Sequence, residues 1–345
     1  MNISWQSTIL PGYGPGGKPI LSVLAKRTYS LAMGAIALAP QQQPLNQADI
    51  PADPQNPFHS ELLAENELIP FKPYTDFIVH CKAHAPHGKK AYHLDCEVHA
   101  GALSKKITVY GERHLESKAL RGLCFSEPIP FECQPVGYCG AYGGNAVSKE
   151  GMVFSYPPNP LGRGFNLKGG FKDYADLPVP FCEDPSSPIM PDSCILNRYD
   201  DWPQCPKPAS FGFTRPIFYP RYTYAGILPE MVTADQTADP KNPRLDFRFY
   251  QSASPGLGEQ ILTGRELIKL VYMDRNHPLF EFELPGKKPV LSITVDGSVL
   301  EVAPVLQTVF IDKEQGCMSM IWRGVREYGG VAVLADTPFG YSCTD

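Results

Sequence analysis

Between positions 127 and 220 the chain carries Gly, Pro and aromatic residues at a density that no regular helix accommodates, and this stretch constrains the fold more than any other. Glycine opens positive φ, and proline fixes φ and removes a backbone donor. Three loop sequences stand out: Ala141-Tyr142-Gly143-Gly144, Asn159-Pro160-Leu161-Gly162-Arg163-Gly164-Phe165 and Tyr219-Pro220-Arg221. Two of them carry an arginine, whose guanidinium fork ties carbonyls or carboxylates together. Loops of this kind hold a fixed backbone shape, which points to a rigid docking or structural surface before it points to chemistry. A stretch this long without periodic runs reads as ordered functional loops or as sheet, and its aromatic content favours order.

The same punctuation runs through the whole chain. With 36 Pro and 30 Gly in 345 residues and no low-complexity run, the composition argues against a helical bundle and for many short strands joined by turns. The expected class is mainly β, with antiparallel sheets in a sandwich or barrel-like arrangement, long ordered loops and one or two short helices. This length buries one large core or two smaller ones. No linker is evident, so a single domain is expected. It would be built from packed β subdomains at about 1–125 and 240–345, bridged by a loop-rich region over 126–239.

The net charge of −5, with no basic groove interleaved with aromatics, argues against a nucleic-acid partner. No run approaches the roughly 18 apolar residues of a membrane helix. The apolar stretch at 31–40 reads as a hairpin inside the domain, so neither export signal nor anchor is expected. Ten cysteines, scattered without a Cys-x-x-Cys pair, read as reduced, mostly buried thiols of a cytosolic protein.

Local patterns predict particular elements. Residues 20–30 and 35–38 read as strands about a turn at Gly34, and 60–67 as a short helix. Residues 76–85 and 91–100 read as a hairpin turning at 86–90, with 105–111 as the third strand of a meander. Within 91–100, Tyr92, Leu94, Cys96 and Val98 share one face and His93, Asp95, Glu97 and His99 the other. Residues 245–250 alternate, and 265–271 read as a short helix. Residues 279–284 and 290–295 read as strands about 286–288. Residues 299–303, 305–311 and 318–323 complete a meander, with turns at 296–297 and 312–316.

Some of these elements carry residue types suited to chemistry. His80, Cys81, His84, His87, His93, Cys96 and His99 are types that suit zinc, but strand alternation turns the cysteines away from the histidines, so no metal is expected. Asp200-Asp201-Trp202 has the residue types of a sugar site, yet adjacent acids on an extended segment diverge. There is no Gly-x-Ser-x-Gly nucleophile and no phosphate-cradling glycine loop. Arg163 and Arg221 are open to two roles, pinning loop carbonyls or recognising a partner at an interface rim.

Taken together, these segments resemble the domain-of-unknown-function family 2169, found beside type VI secretion spike genes in bacteria. Lys26-Arg27-Thr28-Tyr29, Thr75-Asp76-Phe77 and Gly111-Glu112-Arg113 are similar to its early motifs, and Ala141 to Gly144 to its "AFGG" block. Asn159 to Phe165 matches its "NPxGRGF" signature. Asp246-Phe247, Leu262-Thr263-Gly264 and Trp322-Arg323 match later ones. Departures cluster near 219–230: Tyr219 stands where the family has Trp, and Ala225-Gly226-Ile227 shortens another motif, while Gln251 replaces an Asn. The resemblance implies a non-enzymatic, cytoplasmic adaptor or chaperone without cofactor. Its expected partners are the VgrG spike, a PAAR-type tip protein and a toxic effector. The signature loops are Gly143, Gly144, Asn159, Gly162, Arg163, Gly164, Phe165, Pro220 and Arg221. The alternative expectation is a carbohydrate-binding or carbohydrate-active β-sandwich using Asp200, Asp201 and Trp202. A third is a zinc protein built on 80–99.

Overall fold

A computed structural model describes residues 4–118, 122–168, 177–226, 245–328 and 338–345. The protein is mainly β, as expected, and its helical pieces among the described residues are all 3-10 turns, the longest being Tyr199–Gln204. A seven-stranded sheet runs in the order Gln6–Tyr13, Pro19–Ala32, Cys317–Glu327, Val305–Asp312, Asp76–His84 and Cys133–Val136, with Ala35–Leu38 also paired to Pro19–Ala32. A five-stranded sheet runs Cys182–Glu183, Leu103–Tyr110, His93–Ala100, Leu267–Val271 and Leu279–Glu283. Pairing in both is antiparallel except between Asp76–His84 and Val305–Asp312. A three-stranded sheet of Ser298–Val302, Val290–Val295 and Phe339–Thr344 is hydrogen-bonded separately, and its Leu291, Ile293 and Val302 enter the same core. Both large sheets interleave strands from the first and last thirds of the chain.

Side chains from both large sheets enter one buried cluster. Leu21, Val23, Phe77, Val79, Ile311, Met320 and Trp322 come from the first, and Cys96, Val98, Ile107, Leu270 and Phe282 from the second. The other face of the seven-stranded sheet is rich in polar groups and equally buried, because residues 40–75 lie across it. Lys26 donates to Glu67 at 2.7 and 2.8 Å. Lys72 donates to Glu65 at 2.6 Å and to Asp76 at 2.7 Å. Burial works against the Lys72 ammonium, but Asp76 and Glu65 outweigh it and raise its pKa. Asp76, fully buried, also accepts from the amides of Ser252 (3.0 Å) and Ala253 (3.1 Å). Arg323 donates to the Lys72 carbonyl at 2.8 Å and lies over the Phe71 ring.

Several expectations are corrected. The strand Asp76–His84 does not turn back on His93–Ala100. The Pro86–Gly88 turn carries the chain from one sheet to the other. Asp76–His84 is buried on both faces, with Phe77 and Val79 in the main core and Ile78 against Leu62 and Phe213, so it needs neighbours on both sides. The paired hairpin is His93–Ala100 with Leu103–Tyr110.

The segment 60–67 is not helical: Leu62–Ala64 is a strand on Ile50–Pro51. Glu65 and Glu67, two residues apart, reach Lys72 and Lys26, as extended spacing permits. Residues 265–271 form the strand Leu267–Val271, where Ile268 and Leu270 are fully buried at period two. Ahead of it, the Glu266 carboxylate gathers the amides of Thr263, Gly264 and Arg265 into a turn. The alternation at 245–250 is a 3-10 turn, Phe247–Tyr250, capped by Asp246, which accepts from the Arg248 amide. Leu279–Glu283 and Val290–Val295 lie in different sheets, as do Ser298–Val302 and Val305–Asp312, so the late meander is two separate hairpins.

Candidate functional site

The loop-rich region has its own buried cluster, containing Tyr142, Tyr156, Phe165, Leu167, Val179 and Cys194. Its frame is the short parallel pairing of Tyr142–Gly143 with Arg163–Gly164. Asn159, fully buried, is the pin. Its Nδ2 donates to the Tyr138 and Tyr142 carbonyls at 2.8 and 3.0 Å, and its own carbonyl accepts from the Gly144 and Gly162 amides at 2.9 and 3.3 Å. Space forces two of the glycines. A Cβ on Gly143, at φ 150°, would stand 2.1 Å from the Asn159 carbonyl oxygen, and one on Gly162 would stand 2.4 Å from Asn159 Nδ2. The Phe165 amide donates to the Gly143 carbonyl, and the buried Gly164 completes the pairing.

The two arginines differ. Arg221 is buried, with Nε on the Phe249 carbonyl at 2.7 Å and Nη1 on the Thr214 carbonyl. Burial pushes its pKa down, against the pull of Glu65, Asp76 and Asp49. Arg163 is half-buried, with Nε on the Cys139 carbonyl (3.2 Å), Nη1 on Glu112 (2.9 Å) and its guanidinium over Phe181. Arg163→Ala is expected to cost about 1–2 kcal/mol, since a partly exposed ion pair and one carbonyl bond are lost while the Asn159 pin stays. A urea midpoint equal to wild type would remove Arg163 from the loop's support.

Aromatic rings extend this cluster outward. Tyr156 contacts Tyr142 and Phe165 inside, with centroids 5.2 and 5.3 Å apart. It meets Trp202 at 6.2 Å, Trp202 meets Tyr219 at 5.1 Å, and Tyr219 meets Tyr222 at 6.0 Å. The ladder emerges at a cleft of about 370 Å³. Tyr138, Tyr156, Trp202 and Tyr219 form its walls with Pro158, Pro203, Pro208, Pro220 and Pro255, and its charged members are Lys105, Asp184 and Lys207. Burial pushes the Lys105 ammonium down to about 8, with Asp184 and Glu259 opposing.

Of the signature residues only Pro220 lines the cleft. Asp200 and Asp201 do not line it. They sit on the Tyr199–Gln204 turn rather than an extended segment, and Asp200 pairs with the exposed Arg198. Trp202 alone of that triplet faces the cleft. The histidines are dispersed: His80 bonds Asp312 at 3.3 Å, His99 bonds Glu97 at 3.1 Å, and His84 and His87 border a different, polar hollow. Among the described residues no three His, Cys, Asp or Glu side chains converge as metal ligands. All ten cysteines are free of disulfides. No helix among the described residues is long and apolar enough to cross a membrane. Ile227, in the departing motif, lies outside the described residues, as do residues 228–230. Sequence reasoning missed Lys105, Asp184 and Pro255; the only local signals for the cleft were Trp202-Pro203 and Tyr219-Pro220.

Fold and loops together define a mainly β protein organised around a glycine- and asparagine-pinned loop core. The chain belongs to the family described as an uncharacterized protein conserved in bacteria (DUF2169), whose model matches residues 16–323. No curated protein and no solved structure matches it.

Proposed function

We propose that this protein is a non-enzymatic docking protein, acting in the cytoplasm as an adaptor or chaperone that helps load a type VI secretion effector or PAAR-type tip protein onto the VgrG spike. The observation that carries this reading is the aromatic ladder. It joins a buried, sterically fixed loop core to an open cleft walled by tyrosine, tryptophan and proline. Such a surface is ordered before a partner arrives, and docking to it costs little side-chain entropy. Type VI secretion enters through the family resemblance of the signature loops. Co-purification of the tagged protein with the products of its neighbouring genes tests the reading. A stable complex with a spike, tip or effector polypeptide is expected; a monomer recovered alone beside soluble, well-expressed neighbours would sink it.

A second reading rests on Trp202 and Tyr219, whose partly exposed rings in a concave site also suit the apolar face of a sugar. Asp184 is the one carboxylate of that site.

A further inference from the structure

We infer that the cleft beside Trp202 and Tyr219 is a peptide site, taking an extended, proline-containing segment of a partner polypeptide with one of its carboxylates seated on Lys105. The inference names the chemistry of the docking partner and so rests on the docking reading.

Three observations carry it. The first is the wall. Trp202 and Tyr219 stand edge to face at 5.1 Å, and Tyr156 is fixed by its hydroxyl on the Pro206 carbonyl at 3.1 Å, so the rings are held in place. Grooves of fixed aromatic rings are what polyproline-type segments dock into, because such segments arrive already extended. The second is size and donor content. About 370 Å³ of open cleft accepts part of a chain running through it. The prolines in its wall have no N–H to offer, which suits an apolar, ring-bearing ligand and ill suits a sugar seeking many hydrogen bonds.

The third is charge. The Lys105 ammonium has a single hydrogen-bond partner among the described residues, the Pro255 carbonyl at 2.9 Å, and no carboxylate within ion-pair distance. Asp184, the acid of the cleft, has Oδ1 already engaged by the amide and hydroxyl of Ser186 at 2.8 and 2.6 Å. Lys207 adds a second, exposed cation. A partly exposed lysine whose ammonium donates only to a carbonyl, with Asp184 and Glu259 beyond ion-pair distance, is complementary to a carboxylate brought by the ligand.

The test uses the full chain and an array of proline-rich dodecapeptides made in pairs that differ by Glu against Gln at one position, read by fluorescence anisotropy. Saturable binding is expected, with the Glu member of the best pair tighter by about tenfold or more. Lys105→Met is expected to erase that difference, Lys105→Arg to keep it, and Tyr219→Ala to weaken both members. Affinity for the Glu peptide should fall as pH rises past about 8, where Lys105, faced by Asp184, Glu259 and Lys207, loses its proton. The fall should be absent in Lys105→Met. Equal binding of Glu and Gln members, a difference that survives Lys105→Met, binding of chitin or glucan oligosaccharides in place of peptides, or no binding anywhere on the array each overturns the assignment. Co-purification of the same variants separates the two readings. If Tyr219→Ala and Lys105→Met still bring down the spike, tip or effector while the array is silent, the peptide site falls and the adaptor role stands. If wild type brings down none of them, the adaptor role falls whatever the array shows.

Discussion

Asp76→Ala is expected to lower the free energy of unfolding by about 4 kcal/mol or more. The carboxylate is fully buried and serves two groups at once: Lys72 on one side, and the Ser252 and Ala253 amides with the Gln251 side chain on the other. Removing it leaves those amides without an acceptor in the interior and a buried ammonium with Glu65 as its remaining partner. Each orphaned donor costs about 1–3 kcal/mol, and breaking a buried ion pair from one side costs about 3–5 kcal/mol, the terms overlapping rather than adding. Urea unfolding followed by far-ultraviolet circular dichroism measures it. Asp76→Asn keeps the shape but turns one oxygen into an NH2 donor facing other donors, so a loss of similar size is expected. A wild-type midpoint for Asp76→Ala would mean that residues 251–254 are held to the sheet by something other than this side chain.

Gly143→Ala is the second large effect, at about 3 kcal/mol or more, and here the cause is space. The added methyl meets the Asn159 carbonyl oxygen at 2.1 Å, and that oxygen cannot retreat without releasing the Gly144 and Gly162 amides. Gly151→Ala supplies the control. It has a positive φ of 82° with nothing within 4 Å of the new atom, so only backbone strain of about 1 kcal/mol is expected. Since Trp202 sits on the ladder that starts from this loop, near-ultraviolet dichroism should change in Gly143→Ala and stay unchanged in Gly151→Ala. Equal losses in the two variants would show that the loop yields, and that the close approach is not what fixes it.

The elements that sequence alone revealed are those in which a local pattern decides the outcome. Residues 20–30 and 91–100 alternate or run apolar between turn residues, and they contain the strands Pro19–Ala32 in large part and His93–Ala100. Asp296-Gly297 and the turn read at 312–316 close real hairpins. Pairing between distant strands was not legible. Nothing near Asp76 announces that its strand lies beside Val305–Asp312, because that register is set by side chains from opposite ends of the chain. The misread helix at 60–67 has a similar origin: its leucines and glutamates are good helix formers, and only Lys72 and Lys26, placed beneath Glu65 and Glu67, show why the segment is extended. In the loop region the signature was readable as a unit, since Gly143, Asn159 and Gly162 act on one another over a short stretch. The cleft was not, because Lys105, Asp184, Trp202 and Pro255 come from four segments with no motif in common.

The interleaving of the two large sheets bears on how the chain can be made. Asp76–His84 emerges early in synthesis, but its two neighbours, Cys133–Val136 and Val305–Asp312, follow much later. Until the second of these has left the ribosome, Phe77, Ile78 and Val79 have no complete sheet to join, and the apolar strand must wait uncovered. Such distant pairing makes folding slow, and a chain stalled before Val305 presents an open, sticky edge. Loss of the last forty residues would therefore act on the whole molecule rather than on one end, and the expected fate of such a fragment is capture by holdases or aggregation.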